Sequence, residues 1–167
     1  MPVLSEDMLD VISHSEAQTH RLGMRLAGLL QPGDVLALAG ELGTGKTRLV
    51  QGLGSGLGVV EAIVSPTFTL VREYRGPAIR LPLYHIDLYR IQDATETATF
   101  GLEDYLFGDG VCAIEWADRL AAGQLPEAHL WLDLRHLDQG KRGLLFRPRG
   151  ARYEQLVRDF RHQAFGV

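Results

Sequence analysis

One glycine-rich segment constrains what this chain can fold into more than any other part of it. Residues 40–47 read Gly-Glu-Leu-Gly-Thr-Gly-Lys-Thr and match the phosphate-loop pattern G-x-x-x-x-G-K-[ST] in full. Before it lies Val35–Ala39, an apolar run too short for a helix, and after it apolar residues recur at helical spacing over residues 49–57. A phosphate loop needs a strand before it and a helix after it. Pattern and context therefore agree on a strand, a phosphate-binding loop and a helix.

The residue types of this loop suit phosphate chemistry. Glycines let successive backbone N–H groups turn towards phosphate oxygens, and the following helix adds its positive N-terminal end. Lys46, one of only two lysines in the chain, is predicted to contact the β and γ phosphates, and the Thr47 hydroxyl to bind Mg²⁺. The alternative is a glycine turn that only joins strand to helix. The nucleotide-binding residues predicted in the loop are Glu41, Leu42, Gly43, Thr44, Gly45, Lys46 and Thr47.

The nucleotide is predicted to be ATP. Guanine-specific NTPases typically read their base with an Asn/Thr-Lys-x-Asp segment. The only lysine outside the loop, Lys141, is followed by Arg-Gly-Leu. The chain also has no G-x-G-x-x-G and no G-x-S-x-G segment, which excludes the dinucleotide fingerprint and the hydrolase elbow.

A phosphate loop also needs a carboxylate on the metal side, at the end of a neighbouring buried strand. Two residues meet that description, namely Glu115 after the apolar run 111–114 and Asp87 after the run 84–86. Glu115 follows the more continuous apolar run and is the first choice as a metal ligand. Asp87 is predicted near the same ion, where it would hold a metal-bound water or the attacking water, and the sequence leaves open which of the two carboxylates orients that water. Lys46, Asp87 and Glu115 are therefore the catalytic candidates.

The rest of the chain alternates between helical and extended patterns. A helix begins near residues 15–18 and ends before Pro32-Gly33, whereas the helix after the loop is expected to stop early because glycines interrupt it. Strands are expected at the two alternating runs 68–74 and 83–89, which read as a hairpin or adjacent pair, and at three later segments. Those segments are residues 111–114, 130–134 and 144–146, with short helical pieces at 94–98 and 102–106 and a last helix over 153–160.

This order predicts an α/β fold in a single P-loop ATPase domain over residues 1–167. We expect a P-loop NTPase-like central sheet, mostly parallel with an antiparallel strand pair, and helices on both faces. No linker, repeat or low-complexity segment divides the chain.

Composition narrows the partners and the compartment. The formal net charge is −4, which argues against a surface that grips DNA or RNA through bulk charge. The lone cysteine, Cys112, excludes an internal disulfide framework and a cysteine zinc cluster, and fits a reducing compartment. Neither a membrane span nor a signal peptide is visible. A cytoplasmic protein without membrane or DNA contacts is the expectation.

Three further features have more than one interpretation. The segment Ser-Pro-Thr-Phe at residues 65–68 is either a γ-phosphate sensor or the start of a strand, and the second interpretation is favoured. Trp116 is either core packing or a wall of the nucleotide site. All six histidines are interpreted as structural or solvated; His129 and His136 should point to opposite faces of one strand.

Four segments together resemble the TsaE family (older name YjeE), small bacterial ATPases that assist threonylcarbamoyladenosine modification of tRNA. They are the phosphate loop at 40–47, Ser-Pro-Thr-Phe at 65–68, His-x-Asp-Leu-Tyr-Arg at 85–90 and Ile-Glu-Trp at 114–116. The segments lie in the order typical of the family, and the resemblance covers nearly the whole chain. Departures are small: Glu41 stands where aspartate is commoner, Thr44 where alanine is, and Ala117 where many members have proline.

The resemblance implies ATP and Mg²⁺ at the phosphate loop, with Thr47 and Glu115 at the metal, Asp87 needed nearby and Thr19 close to the nucleotide. It also implies two partner proteins, TsaB and TsaD, of which TsaD transfers threonylcarbamoyl to the adenosine beside the anticodon. The tRNA would be contacted indirectly, through that complex. A small phosphotransferase and a nucleotide-gated binding module are the alternatives that the residues leave open.

Overall fold

The computed structural model describes residues 7–167, and its centre is one seven-stranded sheet. The strands are β1 (Leu9–Ser13), β2 (Val35–Ala39), β3 (Val71–Tyr74), β4 (Leu83–Asp87), β5 (Val111–Glu115), β6 (His129–His136) and β7 (Arg142–Arg149). The α-helices are α1 (Glu16–Ala27), α2 (Lys46–Leu57), α3 (Leu102–Leu106) and α4 (Ala151–Phe165). A 3₁₀ helix covers Ala94–Phe100, and two shorter ones follow β5 and β6.

The sheet has the order β1-β7-β6-β2-β5-β4-β3. Its four central strands β6, β2, β5 and β4 are parallel, and antiparallel pairs close both edges. Five strands therefore run in one direction, which confirms the mostly parallel sheet. The predicted antiparallel pair is β3 with β4. The opposite edge adds β7 and β1, and β1 is a strand that the sequence analysis did not assign.

Helices cover both faces, as expected. Because side chains alternate along a strand, Leu36 and Leu38 of β2 join the larger core under α1, α2 and α4. Val35 and Ala37 of the same strand join a smaller core beneath α3 and the 3₁₀ helix before it. This alternation leaves β2 buried on both sides, as expected for the central strand of a parallel sheet.

The expectation that the helix after the loop stops early was wrong. Helix α2 continues to Leu57 and ends on Gly58, whose φ of 102° is a left-handed C-cap. Two of its interior glycines, Gly52 and Gly56, lie against α1. A Cβ on Gly52 would stand 2.1 Å from the His20 carbonyl oxygen, and one on Gly23 of α1 would stand 2.4 Å from the Leu49 carbonyl oxygen. These glycines therefore serve close helix packing, which offsets their low helix propensity.

The hairpin begins later than predicted, because residues 67–70 form a turn and a bend. The Leu70 N–H donates to the Pro66 carbonyl oxygen, and Leu70 has a φ of 68°, so the strand starts only at Val71.

Cys112 lies buried in β5, and burial raises the pKa of its thiol to about 12. Among residues 7–167 no helix is both long and apolar enough to cross a bilayer.

Candidate functional site

The loop between β2 and α2 has the backbone that a phosphate cradle requires. Gly40, Gly43 and Gly45 have φ values of 148°, 77° and 103°, which side-chain-bearing residues rarely adopt. Gly40 also has no room for a side chain, because its Cβ would lie 2.2 Å from the Leu134 carbonyl oxygen on β6. Helix α2 begins directly after Gly45. Its unpaired N–H groups and its positive end therefore face the loop.

The Lys46 ammonium group lies inside this loop. Its Nζ donates to the carbonyl oxygens of Gly40 at 2.6 Å and Glu41 at 2.8 Å, and it lies 4.1 Å from the centre of the Trp116 ring. Burial lowers the pKa of Lys46, while the nearby carboxylates, Glu115 foremost, oppose that shift. The loop carbonyls therefore compensate a buried positive charge at the place where phosphate would accept the same hydrogen bonds.

Thr47 and Glu115 are in direct contact. The Thr47 hydroxyl donates to Glu115 Oε1 at 2.8 Å and lies 3.1 Å from Oε2. Glu115 ends β5, which lies beside β2 in the sheet, so parallel pairing carries the carboxylate to the loop. Hydroxyl and carboxylate oxygens are the ligand types that Mg²⁺ takes from proteins. The residues present therefore fit a magnesium ion between Thr47 and Glu115.

Asp87 lies one strand further along the same edge. It ends β4 opposite Glu115 in the β4–β5 register. One of its carboxylate oxygens accepts a hydrogen bond from the Ser65 hydroxyl, and the other accepts the Tyr89 N–H at 2.8 Å. Ser65 and Thr67 line the cleft, so the segment 65–68 is not simply the start of a strand, the interpretation that we favoured.

A cleft of about 470 Å³ unites these groups. Trp116 forms part of its wall and also packs, partly buried, against the smaller core, so both interpretations of that residue apply. Its ring centre lies 5.0 Å from that of Tyr89. Trp116 has a φ of 59°, a left-handed backbone that is strained for a bulky residue and is often found at functional sites. The lining comprises Glu16, Leu42, Gly43, Gly45, Lys46, Thr47, Arg48, Gln51, Ser65, Thr67, Asp87, Tyr89, Glu115 and Trp116.

Three predicted nucleotide-binding residues lie at the margin of the site. Thr19 is buried behind the loop, where its hydroxyl pairs with Ser13 at 2.7 Å and its methyl group lies 3.7 Å from a Cβ built on Gly45. Glu41 is exposed at the start of the loop and is not part of the cleft lining, and the Thr44 hydroxyl donates to its carbonyl oxygen at 2.9 Å. Direct nucleotide contacts by Thr19, Glu41 and Thr44 remain predictions.

Two features of the site were not predicted from the sequence. One is the contact of His85 with Glu115, and the other is the set of contacts that the β6–β7 hairpin makes with the loop. His85, interpreted as structural or solvated, lies buried with its Nε2 2.5 Å from Glu115 Oε2. His136 lies 3.1 Å from the Leu42 carbonyl oxygen, and Arg142 donates to Gly43 O at 3.3 Å. The available signal for His85 was its position two residues before Asp87, which places both side chains on one face of the strand.

Comparison with known proteins gives one consistent result. The family model described as "Threonylcarbamoyl adenosine biosynthesis protein TsaE" matches residues 13–144. The chain is 40% identical over 142 residues to the Bacillus subtilis tRNA threonylcarbamoyladenosine biosynthesis protein TsaE, covering 85% of this chain and 87% of that one. It is 44% identical over 131 residues to the Treponema pallidum protein of the same name, covering 78% and 94%. The crystal structure of Bacillus subtilis YdiB superposes with a TM-score of 0.81 at 34% identity, covering 94% and 96%.

Proposed function

The chain belongs to the TsaE family of tRNA threonylcarbamoyladenosine biosynthesis proteins, and from that premise we propose that it is a weak, Mg²⁺-dependent ATPase. Its turnover would act on a cytoplasmic complex of TsaB and TsaD and would reach tRNA only through that complex. The observation that carries the proposal is the contact between Thr47 of the phosphate loop and Glu115, beside the buried Lys46. A loop that only joined strand to helix would need neither a buried ammonium group nor a facing carboxylate.

Phosphate binding falls to the loop and to Lys46. When the β and γ phosphates enter, their oxygens replace the carbonyl oxygens of Gly40 and Glu41 as acceptors for Nζ. In this exchange the Lys46 ammonium group leaves two neutral carbonyl acceptors and pairs with phosphate oxygens that carry negative charge. The N–H groups at the start of α2 face the same oxygens. Because phosphoryl transfer requires mainly positioning and charge neutralisation, these fixed donors supply the larger part of catalysis.

Thr47 and Glu115 would hold the magnesium ion. Bound there, Mg²⁺ would neutralise charge that develops on the phosphate oxygens. The Thr47 hydroxyl can turn its lone pairs to a cation only if its O–H points elsewhere. Glu115 Oε1 accepts a hydrogen bond from that O–H at an oxygen–oxygen distance of 2.8 Å. Glu115 therefore orients the hydroxyl in addition to supplying negative charge.

Asp87 would act on the opposite side of the γ phosphate. Its carboxylate holds Ser65 at the cleft and is positioned by the Tyr89 N–H. A carboxylate in this position can accept a proton from the attacking water or align that water through Ser65. This arrangement supports different tasks for the two carboxylates, with Glu115 at the metal and Asp87 at the water.

The two lysines of the chain provide a matched test. Lys46→Ala should abolish ATP binding measured by calorimetry and, with it, hydrolysis. Lys141→Ala removes the same side chain from an exposed position outside the cleft and should leave both properties unchanged. Undiminished hydrolysis in Lys46→Ala would refute the assignment of the site.

A second experiment separates the proposal from its two alternatives. Phosphate release is measured with and without TsaB and TsaD, and with candidate small-molecule acceptors in place of the partners. Turnover that rises with the partners supports the proposal, whereas a phosphorylated acceptor would indicate a phosphotransferase. Partner affinity that differs between ATP and ADP without any turnover would indicate a nucleotide-gated binding module.

A further inference from the structure

His85 occupies the middle of β4 and is completely buried, with 0% of its surface exposed. Its side chain lies on the same face of the sheet as Asp87, two residues later. In the parallel register His85 stands opposite Ala113, and Glu115 follows Ala113 by two residues on that face. The imidazole is therefore one row deeper in the sheet than the carboxylate, on the side away from the cleft.

The contact between the two side chains has a defined direction. His85 Nε2 lies 2.5 Å from Glu115 Oε2, and a carboxylate can only accept, so the ring must carry a proton on Nε2. The other ring nitrogen, Nδ1, is buried and has no hydrogen-bond partner among residues 7–167. A buried polar atom without a partner costs free energy. The ring therefore makes its hydrogen bond to Glu115 through Nε2, although Nδ1 is left without a partner.

Without the His85 N–H donor, the Glu115 carboxylate is free to adopt other orientations. A glutamate side chain turns about three bonds, and the Lys46 ammonium, whose pKa responds most strongly to Glu115 among the nearby charges, attracts the same carboxylate. The Thr47 hydroxyl on α2 is the other donor to this carboxylate, and by itself it does not fix the orientation of the carboxylate. The His85 N–H holds Oε2 from beneath, in the orientation in which Oε1 lies 2.8 Å and Oε2 3.1 Å from the Thr47 hydroxyl.

We propose that His85 is a positioning residue that holds the Glu115 carboxylate in the orientation that binds Mg²⁺. This inference rests on the proposed function, because it assigns His85 a role only if a metal binds between Thr47 and Glu115. Residues that hydrogen-bond to metal ligands fix their orientation, and losing one typically lowers metal affinity by about 10- to 100-fold.

Three variants at position 85 test the proposal. His85→Phe keeps a planar ring without a donor, His85→Gln places an amide N–H near the position of Nε2, and His85→Asn carries an amide that is too short to reach. The readout is the affinity for a fluorescent ATP analogue, measured in EDTA and across a Mg²⁺ titration. We expect the half-saturating Mg²⁺ concentration to rise about 10-fold or more in the Phe and Asn variants. In His85→Gln it should stay near the wild-type value, and affinity in EDTA should not change in any variant.

Each outcome separates the inference from the function beneath it. A wild-type protein without Mg²⁺-dependent binding would overturn the proposed function and this inference together. A normal wild-type curve that His85→Phe shares would overturn the inference alone, as would equal losses in EDTA and in Mg²⁺, because those indicate general damage. His129→Phe, a histidine at the start of β6 outside the cleft lining, is the control and should behave as wild type.

A spectroscopic measurement decides the matter even if His85→Phe fails to fold. Long-range ¹H–¹⁵N correlation spectra of the wild-type protein report which ring nitrogen of His85 carries the proton. We expect a proton on Nε2, and in Glu115→Gln the Nε2 signal should shift because its acceptor is no longer a carboxylate. A ring protonated only on Nδ1, or an Nε2 signal indifferent to that substitution, would overturn the proposal.

Discussion

Replacing Gly52 by alanine tests the inference that close packing of α1 against α2 determines the glycine content of α2. The new Cβ would stand 2.1 Å from the His20 carbonyl oxygen, whereas real Cβ contacts essentially never fall below 3.0 Å. Helix α1 would therefore have to retreat by about 1 Å. Alanine gains about 1 kcal/mol in helix propensity. Overpacking against backbone, which cannot rotate away, costs about 3 kcal/mol, the upper end of the usual range. We expect a net loss of about 2 kcal/mol in the free energy of unfolding.

Gly54 provides the matched comparison two residues later in the same helix. A Cβ there would stand 2.0 Å from the terminal methyl group of Ile63, whose flexible side chain can turn away, and its other neighbours, in Ile63 and Leu83, are side-chain atoms at 3.5 Å, an ordinary van der Waals distance. Gly54→Ala gains the same propensity without moving a helix, so its stability should be equal to or above that of wild type. Urea denaturation of wild type and both variants, with equal slopes, measures the difference. If Gly52→Ala unfolded at the same urea concentration as Gly54→Ala or at a higher one, the packing argument would be wrong.

Three further outcomes follow from the site and the core. Glu115→Gln keeps a hydrogen-bond acceptor for Thr47 but removes the charge, so Mg²⁺ titration of ATP hydrolysis should show a half-saturating concentration about 10-fold higher or more; an unchanged curve would contradict the metal assignment. Ser65→Ala removes the donor to Asp87, and steady-state kinetics should show turnover at least about tenfold lower with ATP affinity retained. Because burial raises the pKa of Cys112 from 9.0 to about 12, the unfolded chain binds fewer protons than the folded chain in that range and stability falls as pH rises. Urea denaturation at about pH 8 and about pH 10.5 should show a smaller fall in Cys112→Ala than in wild type.

The phosphate loop and its two carboxylates were predictable because each depends on local sequence. The loop pattern requires particular residues at fixed spacing, and a short apolar run that ends in a carboxylate marks a strand end at the edge where ligands bind. The structure places Glu115 and Asp87 on neighbouring strands beside the loop. The assignment of the chain to the TsaE family from four short segments was likewise confirmed.

Features that depend on which elements become neighbours were not predictable in the same way. The partner of His85 is 30 residues away, and the contact exists only because β4 lies beside β5, an order that no local pattern contains. The glycines of α2 indicate a weak helix when only the sequence is considered. The position of α1 shows that Gly52 and Gly56 leave room for its backbone. Strand β1 escaped notice because an edge strand with only two buried positions carries a weak apolar pattern.

The strand order also supports the proposal that the two carboxylates at one edge of the sheet have different tasks. From β2, which carries the loop, the order runs to β5 and then to β4, so Glu115 reaches Thr47 directly while Asp87 is one strand spacing further away. Asp87 is instead within reach of Ser65, in the segment that precedes β3 at the sheet's other edge. That segment is largely open to solvent, because Phe68 within it is 82% exposed, with the Arg90 guanidinium 4.1 Å from the centre of its ring. If the two tasks are separate, Ser65→Ala should lower turnover while the half-saturating Mg²⁺ concentration stays near the wild-type value.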